Sequence, residues 1–152
     1  MKTVKKLMAA VLITAMVLSL AACGSKVKKM TAEEFTSKLE KENFTVKETK
    51  GSEDVKTSIV AYNSDMSVML TYSLFASTEA AKKNFDYFKE TAEAAKKEGT
   101  IEKLSTSSSK ITADGGEDGY IVVAYAEDMV IMVTALTTNS DAAKDACKVL
   151  GI

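Results

Sequence analysis

The sequence predicts an α+β fold: a single antiparallel sheet of about six strands with three helices, ordered helix, three strands, helix, three strands, helix. Three observations predict it. First, residues 77–98 carry an inward row, Ala81, Phe85, Phe88, Ala92 and Ala95, at steps of four, three, four and three, which is one face of a helix. Second, Val55–Tyr62 and Ser67–Phe75 read as strands joined by a tight turn at Asn63-Ser64-Asp65, so they pair antiparallel. Third, Val60–Met69 recurs as Val123–Met132 at an offset of 63 residues without a gap, and the match continues through Thr71/Thr134, Ser77/Ser140 and Ala80/Ala143. The repeated unit, residues 57–84 and 120–147, is strand, hairpin turn, strand, capped helix, so the chain reads as internally duplicated.

Each element has a local reason. Thr31 and Glu34 form a capping box, and Met30 and Phe35 hold the two positions of a hydrophobic staple, so a helix starts there and runs to about Glu42. Phe35 and Leu39, four apart, face inward. Phe44–Glu48 alternates as a strand, and Lys50-Gly51-Ser52-Glu53-Asp54 turns the chain into the first hairpin. The long helix over Ser77–Glu98 stops at Gly99, in the usual position just past a helix end. Ile101–Ser107, Tyr120–Ala126 and Met129–Thr137 are the remaining strands. The serine- and threonine-rich run 105–110 reads as an exposed strand edge, and Asp114-Gly115-Gly116-Glu117-Asp118-Gly119 as a hairpin connection. A last helix spans about Asp141–Leu150, with Ser140 as N-cap. In outline the layout is similar to other duplicated α+β folds, such as the TATA-binding-protein-like fold and the β-lactamase inhibitory proteins, although no motif of either is present.

Strand faces carry the expectation about a working surface. Val68, Leu70, Tyr72 and Leu74, matched by Ile131, Val133, Ala135 and Thr137, should lie under the helices on one face of the sheet. The opposite row includes Met69, Thr71, Met132 and Thr134. Tyr120–Tyr125 is apolar on both sides, which a sheet covered on one face does not require. Either that face meets a ligand, a protein partner or a second copy of the chain, with Met69, Thr71, Met132 and Thr134 as the candidate interaction face, or these are central strands whose far face is covered by loops.

Other constellations are weaker. Met66, Met69, Met129 and Met132 invite a soft metal, but residues three apart on a strand point to opposite faces, so they read as packing atoms. The acidic glycine-rich run 114–119 lacks the twelve-residue spacing of a helix–loop–helix calcium site. The chain has no histidine, which removes the commonest general base, the Ser–His and Cys–His nucleophile pairs and imidazole ligands. All 20 basic residues are lysine, with no basic stripe and no guanidinium fork, so no nucleic-acid partner is expected. No catalytic residue, no metal site and no dissociable cofactor are expected.

The amino terminus locates the protein. A basic start (Lys2, Lys5, Lys6), an apolar core from Leu7 to Leu20 and small residues before Cys23 have the layout of a secretory signal peptide. The apolar stretch Met8–Ala22 is interrupted by Thr14 and Ser19 and falls short of the ~20 residues that a membrane span needs. Leu20-Ala21-Ala22-Cys23 resembles the lipobox of bacterial lipoproteins. That resemblance implies diacylglycerol carried on the Cys23 thiol, cleavage between Ala22 and Cys23, and retention at the extracytoplasmic face of the cell membrane. The composition looks like small uncharacterised lipoproteins of low-GC Gram-positive bacteria. Two acyl chains hold a protein stably where one does not. Residues 23–29 then form a lipidated tether and 30–152 a single domain. Cleavage takes three of the 20 lysines and none of the 21 acidic residues, for a net charge of about −4.

With Cys23 lipidated, Cys147 has no partner in the chain. It falls on the apolar side of the last helix and reads as a buried small hydrophobe. The function expected is a non-catalytic, lipid-anchored extracytoplasmic binding or protein-interaction module. The alternatives are a structural or accessory subunit of an envelope complex, or an envelope-acting hydrolase without histidine.

Overall fold

The computed structural model describes residues 26–116 and 119–152. The expected signal segment 1–22, cleavage between Ala22 and Cys23 and lipid attachment at Cys23 lie outside the described residues, as do Glu117 and Asp118 of the acidic run. The elements are α1 (Ala32–Lys41), β1 (Thr45–Thr49), β2 (Val55–Tyr62), β3 (Val68–Phe75), α2 (Thr78–Lys97), β4 (Lys103–Thr106), β5 (Lys110–Asp114), β6 (Tyr120–Ala126), β7 (Met129–Ala135) and α3 (Ser140–Leu150). The strands form one antiparallel sheet in the order β1-β2-β3-β7-β6-β5-β4.

Seven strands replace the expected six because only part of the serine run is an edge: Ser105 and Thr106 lie exposed on the edge strand β4, and residues 107–109 then reverse the chain. The Ser107 amide donates to the Lys110 carbonyl at 2.8 Å, and Ser107 Oγ accepts from the Lys110 amide at 2.9 Å. That reversal lets Lys110–Asp114 return as a strand between β4 and β6, with Ile111 and Ala113 buried. Elsewhere the local chemistry holds. The Thr31 hydroxyl accepts from the Glu34 amide at 3.2 Å, and the Glu34 carboxylate accepts from the Thr31 amide at 2.9 Å. Ser77 Oγ caps α2 by accepting from the Ala80 amide at 3.1 Å. Ser140 is not a cap: it is the first residue of α3, and Asn139, which precedes it, makes no side-chain cap bond.

The helices do not share one face. α1 and α3 lie over Ile59, Ala61, Leu70, Tyr72, Val122 and Ile131. α2 lies over the other face, against Ile111, Val123 and Val130. The physical reason is two-sided strands: Val122 and Val123 point oppositely and both are buried, so β6 needs cover on both sides. Phe75, the last residue of β3, points to the α2 side and feeds the chain there. In the larger core Tyr72 is the hub. Its ring lies 5.3 Å from that of Phe35, and its hydroxyl donates to the Met30 carbonyl at 3.1 Å.

The centre of the sheet has the register that a two-fold axis normal to it would impose. Leu70 faces Val133, 63 residues on, while Met69 faces Thr134 and Thr71 faces Met132. Away from the centre the halves diverge. Tyr62 faces Met69, but Tyr125 faces Val130 rather than Met132, because the β6–β7 turn uses two residues, Glu127 and Asp128. A slip of two leaves every side chain on its own face.

The longer β2–β3 turn holds Met66 at φ 57°, with 65 % of its surface exposed. A left-handed residue with a Cβ costs roughly 1–2 kcal/mol, and glycine gives back part of that in chain entropy. Met66→Gly should therefore raise stability by about 0.5 kcal/mol, read as a higher urea midpoint at unchanged slope.

The segment before α1 is part of the fold. Val27 and Met30 are buried in the larger core, and the Met30 amide approaches Met129 Sδ at 3.5 Å. Between them, Lys29 Nζ lies 2.6 Å from Asp128 Oδ1 and 3.6 Å from Glu127 Oε2, both in the β6–β7 turn. Asp128 Oδ1 is shut off from solvent, and the ammonium compensates it. Hydrogen bonding to Lys29 holds the Asp128 carboxyl below the usual carboxylate range, against the opposing effect of desolvation. Packing of the domain thus begins at Val27, inside the expected tether over residues 23–29.

Candidate functional site

The expected interaction face comes together as a block. Met69 and Thr71 on β3 pair directly with Thr134 and Met132 on β7 in the middle of the sheet, on the side that α2 crosses. Thr134 Oγ1 donates to the Met69 carbonyl at 3.4 Å. Met69 is 42 % exposed, Thr71 and Thr134 are half-buried, and Met132 packs against the α2 cluster. The block therefore flanks α2 rather than forming a free sheet surface.

A more enclosed feature lies beside it. α2 crosses the sheet on a row whose first half is large and whose second half is small. Phe85 is buried, with its ring 5.4 Å from that of Tyr125, and Phe88 packs next to it. One turn on, the same row offers Ala92 and Ala95. The phenylalanines set the stand-off between helix and sheet, and the alanines cannot reach across it. A cleft of about 240 Å³ remains.

Its helix wall is Phe88, Thr91, Ala92 and Ala95, and its sheet wall is Ile111, Ala113, Ile121 and Val123. Thr100, Ile101, Gly115 and Gly119 frame the mouth. Among the described residues, no charged side chain lines it. At the mouth, Gly119 is fixed by its backbone conformation and by close approach to β7. At Gly119, φ is 114° and an added Cβ would come within 2.9 Å of the Ala135 carbonyl oxygen. Beyond it, Lys96 Nζ donates to the Glu102 carbonyl at 2.7 Å and the Glu102 amide donates to the Asp114 carbonyl at 2.8 Å, tying the end of α2 to the β5 side.

The cleft continues outward as apolar surface. Ile121, 41 % exposed, belongs to the cleft wall and also to a shallow hollow with Met66, Met69, Thr134 and Leu136. The expected face and the cleft are thus neighbours joined at Ile121. Reading the sequence alone missed the cleft. The available signal was the change from Phe85/Phe88 to Ala92/Ala95 along one helical row, above strand residues apolar on that same side.

The titratable groups sit elsewhere. Cys147 is buried on the opposite face, and burial pushes its thiol up to about 11. Burial likewise raises the Tyr72 and Tyr120 hydroxyls above their ordinary value. Among the described residues, no cluster of three or more acidic, cysteine or histidine side chains is placed to hold a metal ion. No described helix is long and apolar enough to cross a membrane.

No protein-family model matches the chain, and no curated protein matches it in sequence. Among solved structures, it is similar to a GTP binding regulator from Thermotoga maritima, with a TM-score of 0.50 and 16% identity over 80% of this chain and 88% of that one. The likeness is one of fold, an α+β domain of similar size.

Proposed function

We propose that this chain is a non-catalytic binding module, lipid-anchored through Cys23 at the extracytoplasmic face of the cell membrane, whose site is the cleft between α2 and β5–β6. The observation that supports it is the cleft itself: an apolar hollow that the helix's own sequence leaves unfilled. The ligand class that fits is neutral and largely hydrocarbon. An apolar cavity of ~150 Å³ takes up benzene, so this volume suits two aromatic rings or a short alkyl chain, with a third ring lying on the apolar surface at the mouth. A nucleoside triphosphate is the wrong chemistry for it, since among the described residues no cation lines the wall. The anchor is supported by Leu20-Ala21-Ala22-Cys23 and the signal layout before it.

The sheet, its three helices and both cores lie within residues 26–152, so residues 23–152 with Cys23→Ser retain all of them. Titrating that chain with phenylnaphthylamine, a neutral fluorophore, should give a saturable rise in emission at one probe per chain. Ala95→Leu puts hydrocarbon into the cleft from an exposed turn of a helix that accepts leucine readily. It should weaken the probe by about fiftyfold, since three added carbons each displace ~0.8 kcal/mol of burial. A non-saturating signal, or equal binding by Ala95→Leu, would contradict the reading.

A second reading, an accessory subunit of an envelope complex, is favoured by the exposed side chains of Met66, Met69, Ile121 and Leu136 at the mouth of the cleft. Clustered apolar surface of that kind marks protein contacts.

A further inference from the structure

We infer that the segment Lys26–Met30 is a strap that orients the domain on its membrane, with the β6–β7 turn toward the lipid and the cleft mouth away from it. The inference rests on the Cys23 anchor proposed above. Its occupant is a phospholipid surface, and the argument is one of chain length. The strap is held by two buried side chains, Val27 and Met30, and by the Lys29–Asp128 ion pair. From Cys23 to Val27 an extended chain reaches at most ~14 Å. The β6–β7 turn must therefore stay within about that distance of the acylated residue.

The ends of the sheet are distinct. With Glu127 and Asp128 go the Ser107–Lys110 turn, which pairs with the end of β6, and Phe75, whose amide donates to the Asp128 carbonyl at 2.7 Å. α2 starts at this end, just after Phe75. At the other end lie the Asn63–Ser67 turn, Gly115, Gly119 and the C-terminus of α2, which frame the cleft. A strand of the length of β6 spans ~24 Å, and a helix of the length of α2 ~30 Å. Those lengths put the cleft mouth at the end of the domain opposite the tether, so a domain held by its strap end stands with the mouth away from the headgroups. Lys26 and Lys28, exposed on the strap, lie nearest the headgroups and favour an anionic surface. An apolar ligand would then enter from the medium or from a partner, not sideways from the bilayer.

The test uses the full lipidated chain in vesicles of phosphatidylglycerol and phosphatidylcholine containing a headgroup-nitroxide lipid. Ser108→Cys and Ser64→Cys place a thiol-linked fluorophore at the two ends, on exposed residues, while Cys147 is buried and Cys23 is acylated. The expected result is quenching at 108 at least about threefold stronger than at 64, since the two sites differ by more than a sheet's height. A Gly-Ser linker of about ten residues inserted after Ser25 adds ~17 Å of reach and should bring the two signals together. Equal quenching without the linker, or an unchanged ratio with it, overturns the inference. The anchor is read separately, by palmitate label and by the mass of the peptide beginning at Cys23. An unmodified Cys23 overturns the anchor, whereas acylated Cys23 with equal quenching overturns the orientation alone.

Discussion

Phe85→Ala should destabilise the domain by about 3–5 kcal/mol, the range for deleting a fully buried aromatic side chain. Phe85 is 2 % exposed and is the more deeply buried of the two phenylalanines of the smaller core. That core is what holds α2 to the sheet: Ala81 and Phe85 on the helix meet Ile111, Val123, Val130 and Phe75. Little else is available to compensate, because the second half of α2 touches the sheet through alanines across an open cleft. Removing the ring also takes away the stacking on Tyr125, worth ~0.5–1.5 kcal/mol beyond the buried area. The helix should then settle toward the sheet or detach from it. In either case probe binding in the cleft is lost along with stability. Urea unfolding followed by circular dichroism gives the stability change. Phe88→Ala, at a half-buried position of the same row, should cost clearly less.

The second large effect is at high pH. Cys147 is 5 % exposed, and burial raises its thiol to about 11 in the folded protein. In the unfolded chain the thiol ionises near 8.5. Between those values the unfolded state has released its proton and the folded state has not. The stability that the protonated thiol contributes is present below pH ~8.5 and is lost as pH rises toward 11. The loss totals roughly 3 kcal/mol. Cys147→Ala should flatten the profile across that window. A further decline at higher pH should remain, because burial raises Tyr72 and Tyr120 in the same direction. Denaturant midpoints at a series of pH values measure both effects. Equal slopes in the two proteins would mean that the thiol is not buried as described.

Local chemistry was legible wherever one short segment decided the outcome. Thr31 and Glu34 close their capping box, Ser77 caps α2, and Val55–Tyr62 is a strand over its full expected length. β5 was not legible, because five residues with two apolar positions give too short an alternation and the serine turn before it lacks glycine. The face that α2 covers was not legible either. Its inward row shows that it packs but not on which side, and that was decided by residues far along the chain, in β5, β6 and β7. The cleft depends on both of those missed features, which is why the expected face, Met69, Thr71, Met132 and Thr134, fell beside it. The proposed lipobox, Leu20-Ala21-Ala22-Cys23, is a different kind of signal: it stands in the sequence alone, outside the described residues.

The central claim, that the cleft under α2 is the binding site, is tested most directly by methyl resonances of isoleucine in the chain from residue 23 with Cys23→Ser, on addition of phenylnaphthylamine. Ile101, Ile111 and Ile121 line the cleft, while Ile59 and Ile131 are buried beneath α1 and α3 on the opposite face. The account predicts saturable shifts at the first three and none at the other two. Shifts at Ile59 and Ile131, or none at Ile111 and Ile121, would contradict it.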